Sequence, residues 1–218
     1  MVEFIKCRFC REIELAANRQ GQHFAETDAL IALPTLGCFV VGYSLIVPKE
    51  HLTSFAAQSP EQLRATEAFL ESIRAKSEEL FGPTIVAEHG TGAPEEPTAA
   101  CCDHAHLHIV PTRQFDQVLD YYQRTGGPGV AIDDLTALSA YEGNSYLTLS
   151  RSAGDWRVWP GASRFPRQCI RRAIANAEGN GELFDWRGYP HHDNMAITAT
   201  MYRYAFKPEN TGNDPQSA

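Results

Sequence analysis

No stretch of this 218-residue sequence is both apolar and long enough to cross a membrane. The longest apolar run, Cys38 to Pro48, is broken by Gly42 and Ser44 and is far shorter than the ~20 residues a spanning helix needs. Behind Glu3 and Lys6 there is no apolar segment of the kind that marks a secretory signal, so the sequence predicts a cytoplasmic protein. Positive charge is also scarce: 19 Lys and Arg face 27 Asp and Glu, a formal net charge of −8. A field of that sign repels polyanions, so neither nucleic acid nor an anionic membrane is expected as a partner. Any anionic substrate must be met by local positive charge. Internal repeats and low-complexity tracts are absent too, and with 43% hydrophobic residues the chain has ample material for a core, which excludes general disorder.

The six cysteines are even in number, but a chain of this size with a proper core in a reducing compartment needs no disulfide framework. The informative pair is Cys7-Arg-Phe-Cys10. In a short turn, thiolates at that spacing can face one metal ion, which is half of a tetrahedral zinc site. A redox pair and two ordinary thiols are the alternatives, although nothing around the pair reads as the βαβ frame redox motifs usually occupy.

Along the chain, residues 23–33 and 38–47 read as strands joined by a turn at Pro34 and Gly37. Ser59-Pro60-Glu61-Gln62 is a helix start with an N-cap serine, a proline in the first turn and a capping-box glutamine. Leu63, Phe69, Leu70, Ile73, Leu80 and Phe81 recur at helical spacing until Gly82-Pro83. Thr84 to Ala87 reads as a strand and 90–103 as a loop. Beyond residue 112 the sequence predicts a helix over 116–123, a Gly/Pro loop at 126–129, a hairpin across Ser152 to Asp155, and helices over Ser163–Ala177 and Asp193–Phe206. The polar residues 208–218 are expected to be frayed. Ten of the fifteen arginines lie in this second half.

Between the two halves stands His104-Ala-His106-Leu-His108-Ile-Val110. Strand side chains alternate between faces, so the three histidines share one face while Ala105, Leu107 and Ile109 turn to the other. Three imidazoles on one face exceed what packing requires and suit a metal site or chemistry at phosphorus. A single histidine is usually structural, and His23, His89, His191 and His192 are read that way.

The segment resembles the signature of the histidine triad (HIT) superfamily of nucleotide hydrolases and transferases, matching it at every position from His104 to Val110. Gly42-Tyr43-Ser44-Leu45-Ile46-Val47-Pro48-Lys49-Glu50-His51 is similar to the family's Gly-His, apolar strand, Pro-Lys and histidine, and the Cys7/Cys10 pair is placed as in its zinc-binding branch. The resemblance spans roughly residues 4–112. It implies an α+β fold, a HIT-like antiparallel sheet with helices over residues 1–112, followed by a C-terminal α/β extension over 113–207 packed on it. It also implies that His106 is the nucleophile that takes up a nucleotidyl group. His108 would support the site, and Cys7, Cys10, His51 and His104 would hold a structural zinc. Thr35 and Lys49 would meet the substrate, a small-molecule nucleotide, and the protein would be a homodimer.

Some positions depart from the pattern. Ala100 and Cys101 stand where relatives carry a glutamine and a hydroxyl residue near phosphate, and Tyr43 replaces the histidine of Gly-His. Cys101 and Cys102 are possible substitute ligands. These departures point away from the family's usual dinucleoside polyphosphates toward a specialised substrate. The arginine-rich second half is the natural source of phosphate contacts: Ser163, Arg167 and Arg171 would open a helix whose N-terminus favours anions. Asp185 to Pro190 is a second candidate surface, a lid or a dimer contact. Three functions remain open from sequence: hydrolysis at the α-phosphate of a nucleoside monophosphate conjugate, transfer of the same nucleotidyl group to another acceptor, and nucleotide binding without turnover.

Overall fold

The structure is a computed structural model describing residues 7–92 and 104–207; Cys101, Cys102 and the segment 208–218 lie outside the described residues. Its centre is one antiparallel sheet of eight strands. In chain order they are β1 (Ala25–Glu26), β2 (Leu30–Pro34), β3 (Ser44–Pro48), β4 (Thr84–Gly90), β5 (Leu107–Pro111), β6 (Val130–Ile132), β7 (Tyr146–Ser152) and β8 (Asp155–Pro160). They lie in the order β1-β2-β3-β5-β4-β7-β8-β6, so the three strands of the second half continue the sheet of the first through the β4–β7 pair. The α+β class expected from sequence is the one found.

Among the described residues, five α-helices cover the sheet: α1 (Arg8–Ala17), α2 (Pro60–Phe81), α3 (Phe115–Gly126), α4 (Cys169–Ala177) and α5 (His192–Ala205). On one face Leu33, Leu45, Ala87 and Val110 pack with Phe9 of α1, Tyr122 of α3 and Ile174 of α4. On the other, Ile46, Val86, Leu107 and Ile109 pack with Leu63, Leu70 and Ile73 of α2 and Tyr202 of α5. The central strands β2 to β5 are therefore buried on both faces. At about 25 cal/mol per Å² of apolar surface removed from water, this two-sided burial is the main force that fixes the register of β5.

Helix α2 begins as its sequence dictates. Ser59 Oγ accepts the Gln62 N–H and the Gln62 side chain accepts the Ser59 N–H, a complete capping box. Three local expectations are corrected. The Cys7/Cys10 segment is not a turn but the entry and first turn of α1. The second strand starts at Ser44 rather than at residue 38. The helix expected from Ser163 starts only at Cys169. Pro166 disfavours helical geometry at Phe165, and Gln168 adopts φ +57°, outside the right-handed helix.

Candidate active site and metal centre

Strand β5 carries the histidines to the middle of the sheet. His108 lies in register between Leu45 of β3 and Ala87 of β4. Leu107 and Ile109 enter the core under α2, so His108 turns to the face of α1 and α4. His106 precedes the strand by one residue, and its ring lies tilted against that of His108, centroids 4.6 Å apart. His106 Nδ1 lies 2.8 Å from the carbonyl of His104. A carbonyl accepts only, so Nδ1 carries the proton and donates it, and in the neutral ring the lone pair falls on Nε2.

His108 is buried. Burial, then the charges of His106, Arg171 and His89, hold it well below the usual histidine pKa, so it is a neutral imidazole. The Tyr43 hydroxyl lies 2.7 Å from His108 Nδ1. The phenol is the stronger acid of the two, so it donates, which places the His108 proton on Nε2.

His104 turns a different way. Its Nε2 lies 2.8 Å from the Pro48 carbonyl, which fixes the proton there and leaves the Nδ1 lone pair for a metal ion. Nδ1 is 3.5 Å from Cys7 Sγ and 3.6 Å from Cys10 Sγ, and Cys10 Sγ is 3.2 Å from His51 Nδ1. All four donor atoms lie within 4.8 Å of one another. A tetrahedron with Zn–S bonds of about 2.3 Å and Zn–N bonds of about 2.0 Å has edges of roughly 3.3–3.8 Å, close to the three shorter spacings, and the 4.8 Å limit leaves the others needing a small closure around the ion. Burial pushes His104 down to about 4, the neighbouring His51 and His106 adding to it against the Pro48 hydrogen bond, so it offers a neutral ring. Burial, then Cys7, pushes the Cys10 thiol up. The donor set, its spacing and the carbonyl behind His104 fit a closed four-ligand zinc site. Phe9, between the two cysteines, packs its ring 5.8 Å from His104 and 5.1 Å from His106, so the cluster sets one wall of the site beyond it.

That site is a cleft of about 200 Å³. Phe9, Leu33, Leu36 and Leu45 give it an apolar wall; His106, His108, Thr35 and Arg171 give it polar groups, and Arg8, Trp186 and Arg187 also line it. Among the residues singled out from sequence, the structure brings Thr35, His106, His108 and Arg171 together here. It does not bring Lys49, Ser163 or Arg167. Lys49 pairs with Glu26 at 2.8 Å. Ser163 is exposed in a single 3₁₀ turn, and Arg167 lies in a second depression with Gln168 and Arg172, which shares only Arg187 with the cleft. With the helix starting at Cys169, neither is at a helix N-terminus.

Arg171 reaches the cleft in an unforeseen way. It is only 3% exposed, and it donates to the backbone carbonyls of Phe184, Leu36 and Gly37. Its guanidinium lies against the rings of Phe39 and Tyr43, at 5.2 and 5.3 Å. Its hydrogen bonds therefore tie the second half to the turn after β2, and what it offers the cleft is charge. The tie is completed at Gly37, whose N–H donates to the Pro190 carbonyl at 2.8 Å. Gly37 has φ +71°, and a Cβ there would stand 2.5 Å from Trp186 Cβ, so only glycine admits the approach. Sequence reasoning missed Arg8, Phe9 and Leu36 as cleft residues, whereas Trp186 and Arg187 belong to the 185–190 segment that it marks as a second candidate surface. The Arg-Phe between the cysteines was the available signal for two of them.

Behind the triad, on the α2 face, Glu88 is fully buried; it accepts from the Phe55 N–H and the Tyr146 hydroxyl at 2.8 and 2.7 Å. Burial pushes its carboxyl up to about 7, against those donors and the charge of His106. No helix among the described residues is long and apolar enough to cross a membrane.

No protein-family model matches the chain, and no curated protein does. Among solved structures it is similar to a HIT family protein from Bacillus subtilis, at 19% identity over 49% of this chain and 72% of that one, with a TM-score of 0.40. It is likewise similar to a Zn-bound histidine triad family protein from Mycobacterium smegmatis, 21% identical over 52% and 79% of the two chains (TM-score 0.41). A third is a histidine triad nucleotide-binding protein from Sulfolobus tokodaii, 15% identical over 47% and 68% (TM-score 0.39).

Proposed function

We propose that this chain is a nucleotide hydrolase that cleaves at the α-phosphate of a nucleoside monophosphate conjugate through a nucleotidyl-histidine on His106. The observation that carries the reading is the His104 carbonyl at 2.8 Å from His106 Nδ1, on a histidine that lines the cleft. It holds the ring in the tautomer whose Nε2 lone pair can attack phosphorus. In the first half-reaction Nε2 forms a P–N bond to the α-phosphorus while the bond from phosphorus to the leaving group breaks, its electron pair leaving with that group. In the second, water adds to phosphorus, the P–N bond breaks with its electrons returning to Nε2, and the nucleoside monophosphate departs.

Neutral His108, oriented by Tyr43, presents Nε2–H as a hydrogen-bond donor for a phosphate oxygen without adding a cation. Arg171 supplies a fixed positive charge at no cost of reorganisation during the reaction. The apolar wall of Phe9, Leu33, Leu36 and Leu45 suits the base. Cys7, Cys10, His51 and His104 would hold a zinc ion, and four protein ligands would give that ion a structural role with no position for a reacting water. The test is release of nucleoside monophosphate with water as the only acceptor, and its loss in His106→Ala with the fold intact. Release that persists in that variant refutes the proposal.

A further inference from the structure

We infer that the mouth of the cleft holds a second anion-binding position, built by Arg8, Trp186 and Arg187, so that the substrate carries an anionic group besides the phosphate at His106. The inference rests on the nucleotide reading above and adds the charge of the group it selects.

Two separate parts of the chain build the position. Arg8 opens α1 between the two cysteines of the metal cluster, so the cluster fixes where it stands. Trp186 and Arg187 arrive from the second half, held by the Gly37–Pro190 hydrogen bond and by Arg171 on the Phe184 carbonyl. At the mouth both guanidinium groups lie over one indole: Arg8 Cζ is 5.7 Å and Arg187 Cζ 5.1 Å from the Trp186 ring. Stacking on a ring restrains a long side chain before a ligand comes, which lowers the entropy lost on binding.

The charges at this mouth are unbalanced. Among the described residues no carboxylate forms an ion pair with Arg8, Arg171 or Arg187. The nearest acid in sequence, Asp185, accepts the Arg187 backbone N–H at 3.1 Å rather than its guanidinium. Three cations thus converge on one cleft in a chain with 27 acidic residues and a net charge of −8. Their mutual repulsion is a cost that an anion offsets. The three do not act alike. Arg171 has its N–H groups on carbonyls and contributes charge. Arg8 and Arg187 are exposed and make no side-chain hydrogen bond among the described residues, so their planar forks remain able to grip a phosphate or carboxylate.

Calorimetric titration in a His106→Ala background, where nothing is turned over, tests this. Two ligand pairs are compared: a nucleoside 5′-monophosphate with its 5′-triphosphate, and the P–N conjugates of the monophosphate with glycinamide and with glycine. The first pair adds phosphate and the second adds only a carboxylate. The member of each pair that carries the additional anionic group is expected to bind at least about tenfold tighter, and the ratio to fall below about threefold once Arg8→Ala and Arg187→Ala are added. A preference in both pairs, or in one, supports the position and names its anion. Equal affinities before the arginines are changed, or a ratio that survives their removal, overturn it. Failure of all four ligands to bind overturns the nucleotide reading as well, whereas nucleotides that bind without preference overturn this inference alone.

Discussion

Replacing Arg171 by methionine keeps the aliphatic stem that α4 buries and deletes the guanidinium. Three carbonyls then lose a donor: Phe184 at 2.8 Å, Gly37, and Leu36 at the longer distance of 3.4 Å. The first two matter most, and a buried acceptor left without a partner costs about 1–3 kcal/mol. Contacts with the faces of Phe39 and Tyr43 add about 0.5–1 kcal/mol each. Against this, the folded state no longer carries a desolvated charge without a carboxylate, which returns part of the loss. The net expectation is about 3 kcal/mol of destabilisation, or roughly 6–12 °C in Tm for a chain of this length. Urea unfolding followed by circular dichroism measures it, with Arg171→Lys as the control that keeps the charge but can reach only one carbonyl. A methionine variant within about 0.5 kcal/mol of wild type would refute the idea that this guanidinium clamps the second half to the turn after β2.

Elemental analysis should find about one zinc per chain, and Cys10→Ser should lose it. Zinc at a thousand times its Kd stabilises the folded state by about 4 kcal/mol, so a metal-free wild-type protein of equal stability contradicts the metal assignment. Glu88 gives a pH signature. Burial raises its carboxyl from 4.5 to about 7, so across that window the folded protein holds a proton the unfolded chain has released, and stability falls as pH rises. At 1.36 kcal/mol per pH unit this amounts to roughly 3 kcal/mol. Glu88→Gln should therefore gain that much on wild type between pH 5 and pH 8; parallel stability curves would show that the carboxyl titrates normally. Tyr43→Phe removes the donor at His108 Nδ1 and should lower kcat/KM about tenfold at unchanged stability, the loss of one hydrogen bond that orients the ring. Unchanged kinetics would detach Tyr43 from the site.

The parts of the fold legible in the sequence are those governed by neighbours along the chain. Ser59, Pro60 and Gln62 announce α2 because a cap is a local hydrogen-bond pattern. The alternation from Ala105 to Val110 announces the buried strand and its histidine face because pleating has a fixed period. Helix α1 was hidden for the complementary reason: its N-cap is Cys7, with no side-chain cap and no acid in its first turn. Its amphipathic stretch is held by the core, with Phe9 and Ile13 packed there. The late start of α4 was not legible, because Ser163 offers the only N-cap-like residue in the segment and nothing local announces a left-handed Gln168. Arg171 was legible as a phosphate-site arginine, but the way it reaches the cleft, and the place of Trp186 there, were not, since both depend on the backbone at Gly37, far away in the chain. The Cys7, Cys10, His51 and His104 cluster was anticipated through the resemblance, since the Cys7/Cys10 pair alone is half a site; Lys49, Ser163 and Arg167 were assigned by charge, polarity or motif position, which do not determine where a side chain ends.

The most direct measurement is mass spectrometry of the intact protein quenched at alkaline pH during turnover, conditions under which a P–N bond to imidazole survives. The account predicts a mass gain of one nucleoside monophosphate, mapped by peptide fragmentation to His106. Turnover with no such adduct, or an adduct on a different residue, contradicts it.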